Sequence, residues 1–387
     1  MKVFIIHCKY QKSGGEDVVF HTESDLLKKE YVIAQYVIQN EKGFKGLIQY
    51  LFMICNICQA QKIKSEIKSF SPDVVHIHNL HFAIGPWLIR RIKRKMKLPI
   101  VMTLHNFRLL CPSATFIIND KLDTCSLRDS FPYRAIWKRA YHNSFLLTFW
   151  LAFTNWFHGI IGTWNLIDRY ITLNSFSKSL FLENKLSISK EKFVVKANAI
   201  EDFGVSIVER TNRFLFVGRL SKEKGILSII QLAKKMGFFL EIIGDGPLSQ
   251  VIKDEVLTCE NIYFRGAQEK DIVIKSMKFC TALIFPSIWF EGMPITILEA
   301  FSTGTPVIAS NLGAMANMIV DGENGLLVTV NDKDEWESKI SQWINLSNIK
   351  KLKFSESARK SYIDNYTLET NRKNLIEIYN SVIGTYK

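Results

Sequence analysis

The 387-residue sequence lacks the cysteine pattern of a disulfide-stapled secreted domain. Its seven cysteines are odd in number and irregularly spaced, which indicates a reducing compartment. Cys55 and Cys58 form one C-x-x-C pair inside an apolar helical pattern, and no second pair accompanies them. This favours core packing over zinc or redox chemistry. No other group of His and Cys has metal-site spacing, so we expect no metal.

The chain also lacks the layout of a signal peptide. In MKVFIIHCKY the apolar run covers only Val3 to Ile6, and no small-residue cleavage site follows it. We therefore expect a buried first strand and a cytoplasmic protein. The sequence shows no internal repeat, no low-complexity tract and no RNA-binding motif, which argues against a nucleic-acid partner.

Acidic side chains are scarce in the N-terminal half. Residues 1–200 carry 28 Lys and Arg against 14 Asp and Glu, whereas residues 201–387 carry 22 against 23. The net charge of +13 therefore belongs to the first half, where Arg90 to Lys97 is the densest basic cluster. Such an imbalance predicts a polyanionic partner: an anionic membrane surface, a phosphorylated acceptor or a nucleic acid. A solvated helix end is the alternative for the cluster alone.

One long uncharged segment, Ser144 to Trp164, has the length of a membrane span. A transmembrane helix needs about 20 mainly apolar residues. Asn155, His158, Gly159 and Gly162 interrupt this segment, and its aromatic residues suit an interface better than a bilayer centre. We predict a helix that is buried or lies on a membrane rather than one that spans it.

Short apolar runs alternate with helical patterns in both halves of the chain. This alternation predicts parallel sheets with right-handed crossovers, and two such sets predict two doubly wound α/β domains. We place the domains at residues 1–204 and 205–367, with a polar hinge near Ala199 to Thr211. The predicted strands are Val3–Ile6, Val74–Ile77, Ile100–Leu104, Tyr170–Leu173, Phe214–Val217, Leu240–Ile243, Leu283–Phe285 and Val307–Ala309.

Two acids, Glu291 and Glu299, mark the most informative segment. They follow a predicted strand end and flank a Gly-Met-Pro turn and a helix predicted over Ile295 to Ser302. Open α/β sheets bind ligands beyond the carboxyl ends of their strands. Gly292 allows close approach of a ligand, and the amides that open the helix offer donors to a phosphate. Two solvated helix carboxylates are the alternative reading.

Several other residues follow predicted strands directly. Arg219 and Lys224 come after Phe214–Val217, where two cations suit a diphosphate. Gly244 opens a Gly-Asp-Gly turn that is not a full G-x-G-x-x-G, so it predicts NAD binding only weakly. His105 follows Ile100–Leu104, although a lone histidine is more often structural.

These segments, in this order, resemble the retaining glycosyltransferases of family 4. The spacing from Glu291 to Glu299 matches the EX7E element of that family. The other matching segments are SGGEDVVFHTESDLL (Ser13–Leu27), SPDVVHIHNLH (Ser71–His81), TLHNFRLLCP (Thr103–Pro112), ITLNSFSKSLF (Ile171–Phe181), VVKANAIED (Val194–Asp202), FVGRLSKEKG (Phe216–Gly225), IIGDGP (Ile242–Pro247) and DGENGLLV (Asp321–Val328).

The resemblance implies a GT-B type fold, in which two Rossmann-like domains face a central cleft. The N-terminal domain would hold the acceptor and the C-terminal domain a nucleotide-diphosphate sugar. A last helix near residues 368–387 would pack back on the N-terminal domain. The donor sugar is itself a substrate, so no cofactor is expected.

The family also implies a role for each matching residue. Arg219 and Lys224 would neutralise the diphosphate leaving group, and Glu299 would bind the ribose hydroxyls. Glu291 and the Gly292–Pro294 backbone, which includes Met293, would hold the sugar hydroxyls.

Further roles follow from the same resemblance. His105 would contact the donor sugar, while Gly14 and Gly15 would approach its phosphates and Gly244 would border the nucleotide. No protein nucleophile is apparent, so the leaving phosphate would act as the base in a same-face attack.

In two details the sequence differs from glycosyltransferases that bind a metal or that carry additional cysteines. Asp332-x-Asp334 has the form of the DxD metal motif of other glycosyltransferases, but its place before Trp336 indicates helix capping. A related subgroup carries further cysteines where this chain has Arg128 and Ala140. We therefore expect no four-cysteine staple here.

The resemblance and the charge distribution also imply which partners the protein has and where it acts. We expect a glycan or lipid-linked glycan acceptor, as in the synthesis of capsule, O-antigen or exopolysaccharide. The N-terminal half would dock on the inner face of the plasma membrane through the Arg90–Lys97 cluster, and Trp150, Trp156 and Trp164 would add contacts if their helix is exposed. The alternatives are an epimerase or phosphorylase of the same architecture, or a non-catalytic basic protein that binds membranes or nucleic acid. The residues do not specify the sugar, the nucleotide base or the oligomeric state.

Overall fold

The computed structural model describes residues 1–11, 14–183, 188–206 and 209–386. The chain forms two compact units. The first, N-terminal unit consists of Met1–Asn198 together with Leu368–Lys387, and the C-terminal unit is Ala199–Thr367. The first unit thus ends six residues before the predicted boundary at 204, and the segment that begins at Leu368 belongs to it. Ser13, which opens the first matching motif, lies outside the described residues.

The N-terminal unit is built on a parallel sheet of six strands in the order β2-β1-β3-β4-β7-β8. Its central strands are short runs of buried apolar residues, as a sheet covered on both faces requires. A two-residue antiparallel pair, β5 and β6, stands apart from this sheet. The strands are β1 (Lys2–Lys9), β2 (Val32–Gln39), β3 (Val74–Ile77), β4 (Ile100–Leu104), β5 (Ile117–Ile118), β6 (Lys121–Leu122), β7 (Arg169–Thr172) and β8 (Phe193–Val195).

Helices cover this sheet. The last of them, α15, buries Leu375 and Tyr379 against Val3, Ile5 and other strand residues. The helices are α1 (Gly15–Lys28), α2 (Gly43–Phe52), α3 (Ile57–Phe70), α4 (Trp87–Met96), α5 (Tyr133–Trp137), α6 (Phe145–Ile160), α7 (Ser175–Glu183) and α15 (Leu368–Ile383), with short 3-10 turns at Met53–Cys55, Cys125–Leu127, Trp164–Leu166 and Lys190–Lys192.

The C-terminal unit has a second parallel sheet of six strands, in the order β11-β10-β9-β12-β13-β14. Crossover helices connect successive strands, which lie side by side except for β11 and β12. The strands are β9 (Phe214–Val217), β10 (Leu240–Ile243), β11 (Ile262–Phe264), β12 (Ala282–Phe285), β13 (Val307–Ser310) and β14 (Gly325–Val328). The helices are α8 (Ile226–Met236), α9 (Ser249–Val256), α10 (Lys270–Phe279), α11 (Ile295–Ser302), α12 (Gly313–Met318), α13 (Lys333–Ile344) and α14 (Asn348–Asn365), with a 3-10 turn at Lys222–Lys224.

Two parallel sheets with crossover helices confirm the predicted α/β fold class. The strands β3, β4, β9 and β10 have the predicted bounds, as does helix α11. Asp332 caps α13, because its side chain accepts a hydrogen bond from the amide of Glu335. The Asp332-x-Asp334 pair therefore caps a helix, as predicted.

The uncharged segment after Ser144 forms α6, a helix of 16 residues. Among the described residues, no helix combines the length and the apolar character needed to cross a membrane. Trp164 is 1% exposed, and its indole Nε1 donates to the carbonyl of Asn155. Its predicted membrane contact is therefore wrong, because this indole is part of the core. Trp150 is half-buried and donates to the carbonyl of Tyr50, so Trp156 is the exposed tryptophan of the three.

The basic cluster divides into structural and exposed side chains. Arg90 donates to the carbonyl of Ile161 at 2.8 Å, and Lys93 pairs with Asp168. Arg94, Lys95 and Lys97 are exposed. Only part of the predicted docking charge is therefore available to an external partner.

All seven cysteines are free thiols. Cys58 is exposed on α3, so the prediction that it packs in the core is wrong for this residue. Cys55 is half-buried in the adjoining 3-10 turn. Cys111 is buried and Cys125 is half-buried.

Helix α2 has an unusual distribution of side chains. Tyr50 is its one buried residue. Phe44 is 77% exposed, and the apolar side chains of Leu47, Ile48, Leu51 and Phe52 are exposed as well. We call these five exposed side chains the α2 face. This face was not predicted, although the segment from Phe44 to Ile57 is mainly apolar.

Candidate active site

The centre of the candidate site is an ion pair between Lys224 and Glu291. The Nζ of Lys224 lies 2.6 Å from Oε1 of Glu291, and the hydroxyl of Ser287 donates to the same oxygen at 2.8 Å. The Lys224 ammonium also lies 5.1 Å from the ring centroid of Trp289. Both partners are largely buried, which strengthens their attraction relative to a surface pair.

Backbone packing explains why these residues meet. Strands β9 and β12 are neighbours, so the turns at their carboxyl ends lie side by side. Gly225 has φ +69°, and a Cβ there would lie 2.2 Å from the carbonyl oxygen of Pro286. The amide of Ile288 donates to the carbonyl of Glu223 at 2.9 Å and joins the two turns. Glycine at 225 is therefore needed for this close approach.

Glu299 lies on α11 and is 7% exposed. Burial raises the pKa of its carboxyl, while an ion pair with Lys270 at the start of α10 acts in the opposite direction. Lys270 was not among the predicted residues. It lies 29 positions before Glu299 in an ordinary helix start, so no motif spacing indicated the pair.

The predicted Gly-Met-Pro turn leads from Glu291 into α11. Met293 is buried, and Pro294 is the N-terminal cap residue of that helix. The backbone of Gly292 is thus fixed between a buried carboxylate and a helix start. This is the arrangement in which helix-opening amides favour an anionic ligand.

Gly244 follows β10 and is held by the backbone alone. It has φ +150°, and a Cβ there would lie 1.9 Å from the carbonyl oxygen of Gly218. Its amide donates to the carbonyl of Gly266 at 2.9 Å, so that N–H is already occupied. Gly244 therefore lets the backbone approach the site closely, but its N–H is not available to a ligand.

The structure places most of the predicted donor residues at one edge of the C-terminal sheet. Arg219 is exposed just beyond β9. Strands β10, β9 and β12 are adjacent, so their carboxyl ends meet at a single edge. The predicted residues that follow these three strands are Gly244, Arg219, Lys224, Glu291, Gly292, Met293 and Pro294.

His105 belongs to a buried polar cluster in the N-terminal unit. Its Nε2 lies 3.0 Å from Nδ1 of His78. Burial, together with the nearby charges of His7 and Lys196, lowers the pKa of His105 to about 3. The imidazole is therefore neutral at physiological pH, so it can form hydrogen bonds but is not a general acid in this state.

Three members of this cluster are close enough to be considered as metal ligands. The candidate ligand atoms of Glu23, His76 and His78 lie within 4.8 Å of one another. The ammonium of Lys196 lies 2.5 Å from Oε1 of Glu23, and both nitrogens of His76 have hydrogen-bond partners in Tyr379 and Thr103. A cation already neutralises the carboxylate, so this arrangement fits a structural network better than a metal site.

Gly14 and Gly15 begin helix α1. The amide of Gly14 donates to Asp17 Oδ2 at 2.9 Å, and Asp17 Oδ1 lies 2.8 Å from Nε2 of His7. A Cβ at Gly14 would meet no atom within 4 Å. Packing within the unit therefore does not require glycine at this position.

Comparison with known proteins identifies the enzyme class. Residues 197–361 match the family model of Glycosyl transferases group 1. An uncharacterized glycosyltransferase of Methanocaldococcus jannaschii is 26% identical over 366 residues, which cover 91% of this chain and 90% of that protein. The chain is a glycosyltransferase, and residues 197–361 are the part that matches group 1. The predicted family resemblance and enzyme class are thereby confirmed at this level.

A second relative has a more specific name. The Escherichia coli UDP-Gal:alpha-D-GlcNAc-diphosphoundecaprenol alpha-1,3-galactosyltransferase is 28% identical over 185 residues, which cover 44% of this glycosyltransferase and 46% of that protein. The match thus spans about half the length of the E. coli enzyme.

A solved structure supports the fold. HepE from Anabaena, in complex with UDP, has a TM-score of 0.71 at 14% sequence identity, covering 98% of this glycosyltransferase and 100% of HepE. At this identity the likeness concerns the fold, which is that of the GT-B glycosyltransferases.

Proposed function

We propose that the protein transfers a sugar from a nucleotide-diphosphate sugar to a glycan or lipid-linked glycan, with retention at the anomeric carbon. The observation that carries this proposal is the largely buried Lys224–Glu291 pair at the carboxyl edge of the C-terminal sheet. A cation there can neutralise a leaving diphosphate, and a fixed carboxylate beside it can accept sugar hydroxyls.

In this mechanism Arg219 and Lys224 bind the diphosphate as negative charge develops on it. Glu291 accepts hydrogen bonds from the sugar, beside the Gly292–Pro294 backbone. Glu299 accepts from the ribose hydroxyls. His105 contacts the donor sugar as a neutral imidazole, which suits hydrogen bonding rather than proton transfer.

A transfer assay tests this proposal and its independence from metals. We expect one nucleotide sugar of a panel, headed by UDP sugars because HepE binds UDP, to support transfer with retained anomeric configuration. Added EDTA should leave the rate unchanged, since the proposed contacts to the diphosphate come from Arg219 and Lys224. The measurement is product formation by mass spectrometry, with the anomeric configuration assigned by NMR.

Three outcomes of this assay would contradict the proposal. An inverted product would refute retention, and complete loss in EDTA with recovery by a divalent ion would refute metal independence. Conversion of the nucleotide sugar without any acceptor would indicate an epimerase instead.

The acceptor side of the proposal draws on the E. coli relative, whose name specifies a diphosphoundecaprenol-linked sugar as its acceptor. We propose a lipid-linked glycan in surface polysaccharide synthesis for this protein as well. A lipid-linked acceptor lies at a membrane, so the enzyme must reach the bilayer surface. The α2 face supplies exposed apolar side chains for that purpose, and Lys42 and Lys45 on the same segment are exposed cations.

Helix α6 adds to this candidate membrane surface. It contacts α2 directly, because the Trp150 indole donates to the carbonyl of Tyr50 at 3.0 Å. Leu146 is among its exposed apolar residues, as is Trp156. Aromatic and apolar side chains beside lysines are typical of helices that lie in the membrane interface.

Liposome flotation tests the membrane proposal. We expect the protein to float with anionic vesicles at low salt and to dissociate at high salt, since each Lys or Arg near an anionic surface contributes about 1 kcal/mol. Phe44→Ser should weaken binding at both salt concentrations, because its ring is 77% exposed and available for insertion.

Leu257→Ser is the matched control, since Leu257 is 78% exposed but lies in the C-terminal unit. It should float like the wild type. Failure of the wild-type protein to bind anionic vesicles at low salt would refute membrane docking, while leaving sugar transfer intact.

A further inference from the structure

The N-terminal unit contains a cavity that is lined by none of the proposed donor residues. Its volume is about 440 Å³, and Tyr10, Tyr50, Phe82, Arg108 and Tyr141 are among its lining residues. Tyr10 follows β1, while Phe82 and Arg108 lie in the loops after β3 and β4. The cavity is therefore at the carboxyl edge of the sheet, where doubly wound domains bind ligands. We call it the Arg108 pocket.

The guanidinium of Arg108 lacks a matching anion. Its Cζ lies 5.7, 5.2 and 5.5 Å from the ring centroids of Tyr10, Phe82 and Tyr141. Its Nε is buried without a hydrogen-bond partner, and Nη1 makes one long bond of 3.4 Å to the carbonyl of Pro112. Among the described residues, no carboxylate oxygen lies within 4.0 Å of a guanidinium nitrogen of Arg108. A buried arginine with unused donors is costly unless a ligand satisfies it.

The neighbouring acid, Glu16, does not fully neutralise the charge of Arg108. Glu16 accepts from the amide nitrogen of Asn79 at 3.0 Å. Burial and the neighbouring Asp17 raise the pKa of Glu16 to about 7, against the opposing effect of Arg108. Near neutral pH the Glu16 carboxyl is therefore partly protonated, so it compensates the arginine only in part.

Two of the other polar lining side chains, Asn40 and Gln49, are already engaged. The Asn40 side chain donates to the carbonyl of His81 and accepts from the amides of Phe82 and Ala83. Gln49 accepts from the amide of Glu41. Arg108 is thus the lining side chain best placed to bind a charged ligand, and the aromatic rings around it can pack against the apolar faces of a sugar.

We propose that the Arg108 pocket binds an anionic group of the glycan acceptor. Arg108 donates to its oxygens as a fork, and the rings of Tyr10, Phe82 and Tyr141 flank the attached sugar. The inference rests on the proposed glycosyl transfer, because it assigns the class of acceptor. The anion is a phosphate or a sugar carboxylate, and both offer the same geometry to a guanidinium.

The position of α2 links this pocket to the membrane proposal. Gly43, Gly46, Leu47 and Tyr50 of that helix line the pocket, and Leu47 also belongs to the exposed α2 face. A phosphate near the lipid end of an acceptor would then bind beside the helix that meets the bilayer.

Direct binding of charged and neutral sugars tests the pocket without any need for turnover. The probes are glucose 1-phosphate, methyl glucuronide and neutral methyl glucoside, measured by calorimetry at constant ionic strength. We expect both anions to bind the wild-type protein at least about ten-fold more tightly than the neutral sugar. Arg108→Gln should abolish this preference. The tighter of the two anions distinguishes a phosphate source from a carboxylate source.

Two further variants distinguish specific binding by Arg108 from an effect of net charge and from misfolding. Arg128→Gln makes the same charge change at an exposed position of the N-terminal unit and should bind like the wild type. Arg108→Lys keeps a cation among the rings but loses the fork, so it should fold and bind the anions more weakly.

One measurement uses the wild-type protein alone. Saturation of the aromatic protons should transfer to the sugar protons of a bound anionic probe in NMR. No transfer, or equal binding of charged and neutral probes, would overturn the proposal. Normal anion binding by a folded Arg108→Gln variant would overturn it as well. The comparison of methyl glucuronide with methyl glucoside involves no phosphate and no nucleotide sugar, so a failure of the donor proposal remains distinguishable from a failure of this one.

Discussion

Replacement of Lys224 with methionine is expected to lower kcat about 100- to 1,000-fold. Loss of one preorganised group that stabilises charge in the transition state has an effect of this size. The Nζ of Lys224 lies against Glu291 and is mostly shielded from water, so solvent cannot replace it effectively. Steady-state kinetics with the donor found in the transfer assay measure the loss. Arg219→Ala should act in the same direction.

The Lys224 variant also removes the cation that pairs with the Glu291 carboxylate, so a structural loss must be separated from a catalytic one. The double variant Lys224→Met with Glu291→Gln removes both charges and should recover thermal stability but not the rate. Lys222→Ala, in the same turn, is the exposed control and should keep wild-type kcat. Turnover of Lys224→Met within about two-fold of the wild type would refute the site assignment.

Replacement of Glu299 with glutamine is expected to weaken donor binding about 10- to 100-fold while kcat at saturating donor changes little. A hydrogen bond to a charged group contributes about 1.5–3 kcal/mol, and the ribose contact would persist through the reaction. The dissociation constant of the donor, measured by calorimetry, tests this expectation. Lys270→Met removes the ion-pair partner of Glu299 and should have a smaller effect.

The pH dependence of donor binding provides a second test of Glu299. Burial raises the pKa of its carboxyl. The ionised form binds the ribose, so affinity is present above that pKa and is lost as the pH falls through it. The loss should begin at a higher pH than an exposed glutamate would give, and Glu299→Gln should abolish it. An identical pH profile in wild type and variant would contradict the assignment.

The sequence predicted the sheets best where both faces of a strand are covered. Phe214–Val217 is an unbroken apolar run between helices, and its strand has the predicted bounds. Strand β2 was missed because it lies at the edge of its sheet, with Val32 and Val37 exposed. An edge strand mixes exposed and buried positions, so its pattern is weaker than that of a central strand.

Within the candidate site, individual residues were easier to predict than their partners. Glu291 and Lys224 could be selected from the motifs that contain them. Their ion pair depends on β9 and β12 being neighbours, which is a property of the strand order. Lys270 lies outside every matching motif, and Arg108 lies within TLHNFRLLCP but had no role assigned to it. Their roles depend on what surrounds them in three dimensions.

Surface properties were the least predictable. Arg90 and Trp164 looked like membrane contacts by composition, yet both are used inside the N-terminal unit. The apolar residues of α2 are instead exposed on its surface. A hydrophobic segment does not reveal which of its side chains the fold will cover. That depends on neighbouring elements far away in the chain.

The place of α15 has a consequence for biosynthesis. Leu375, Tyr379 and Val382 complete the core around Val3 and Phe20, so the first unit requires residues that are translated after the whole second unit. The 169 residues of Ala199–Thr367 form a contiguous unit that leaves the ribosome in between, which takes roughly 10–30 s at about 5–20 residues per second. The second unit can thus mature while the nascent first unit still lacks a helix. During that interval the uncovered β1 surface is a natural client for chaperones.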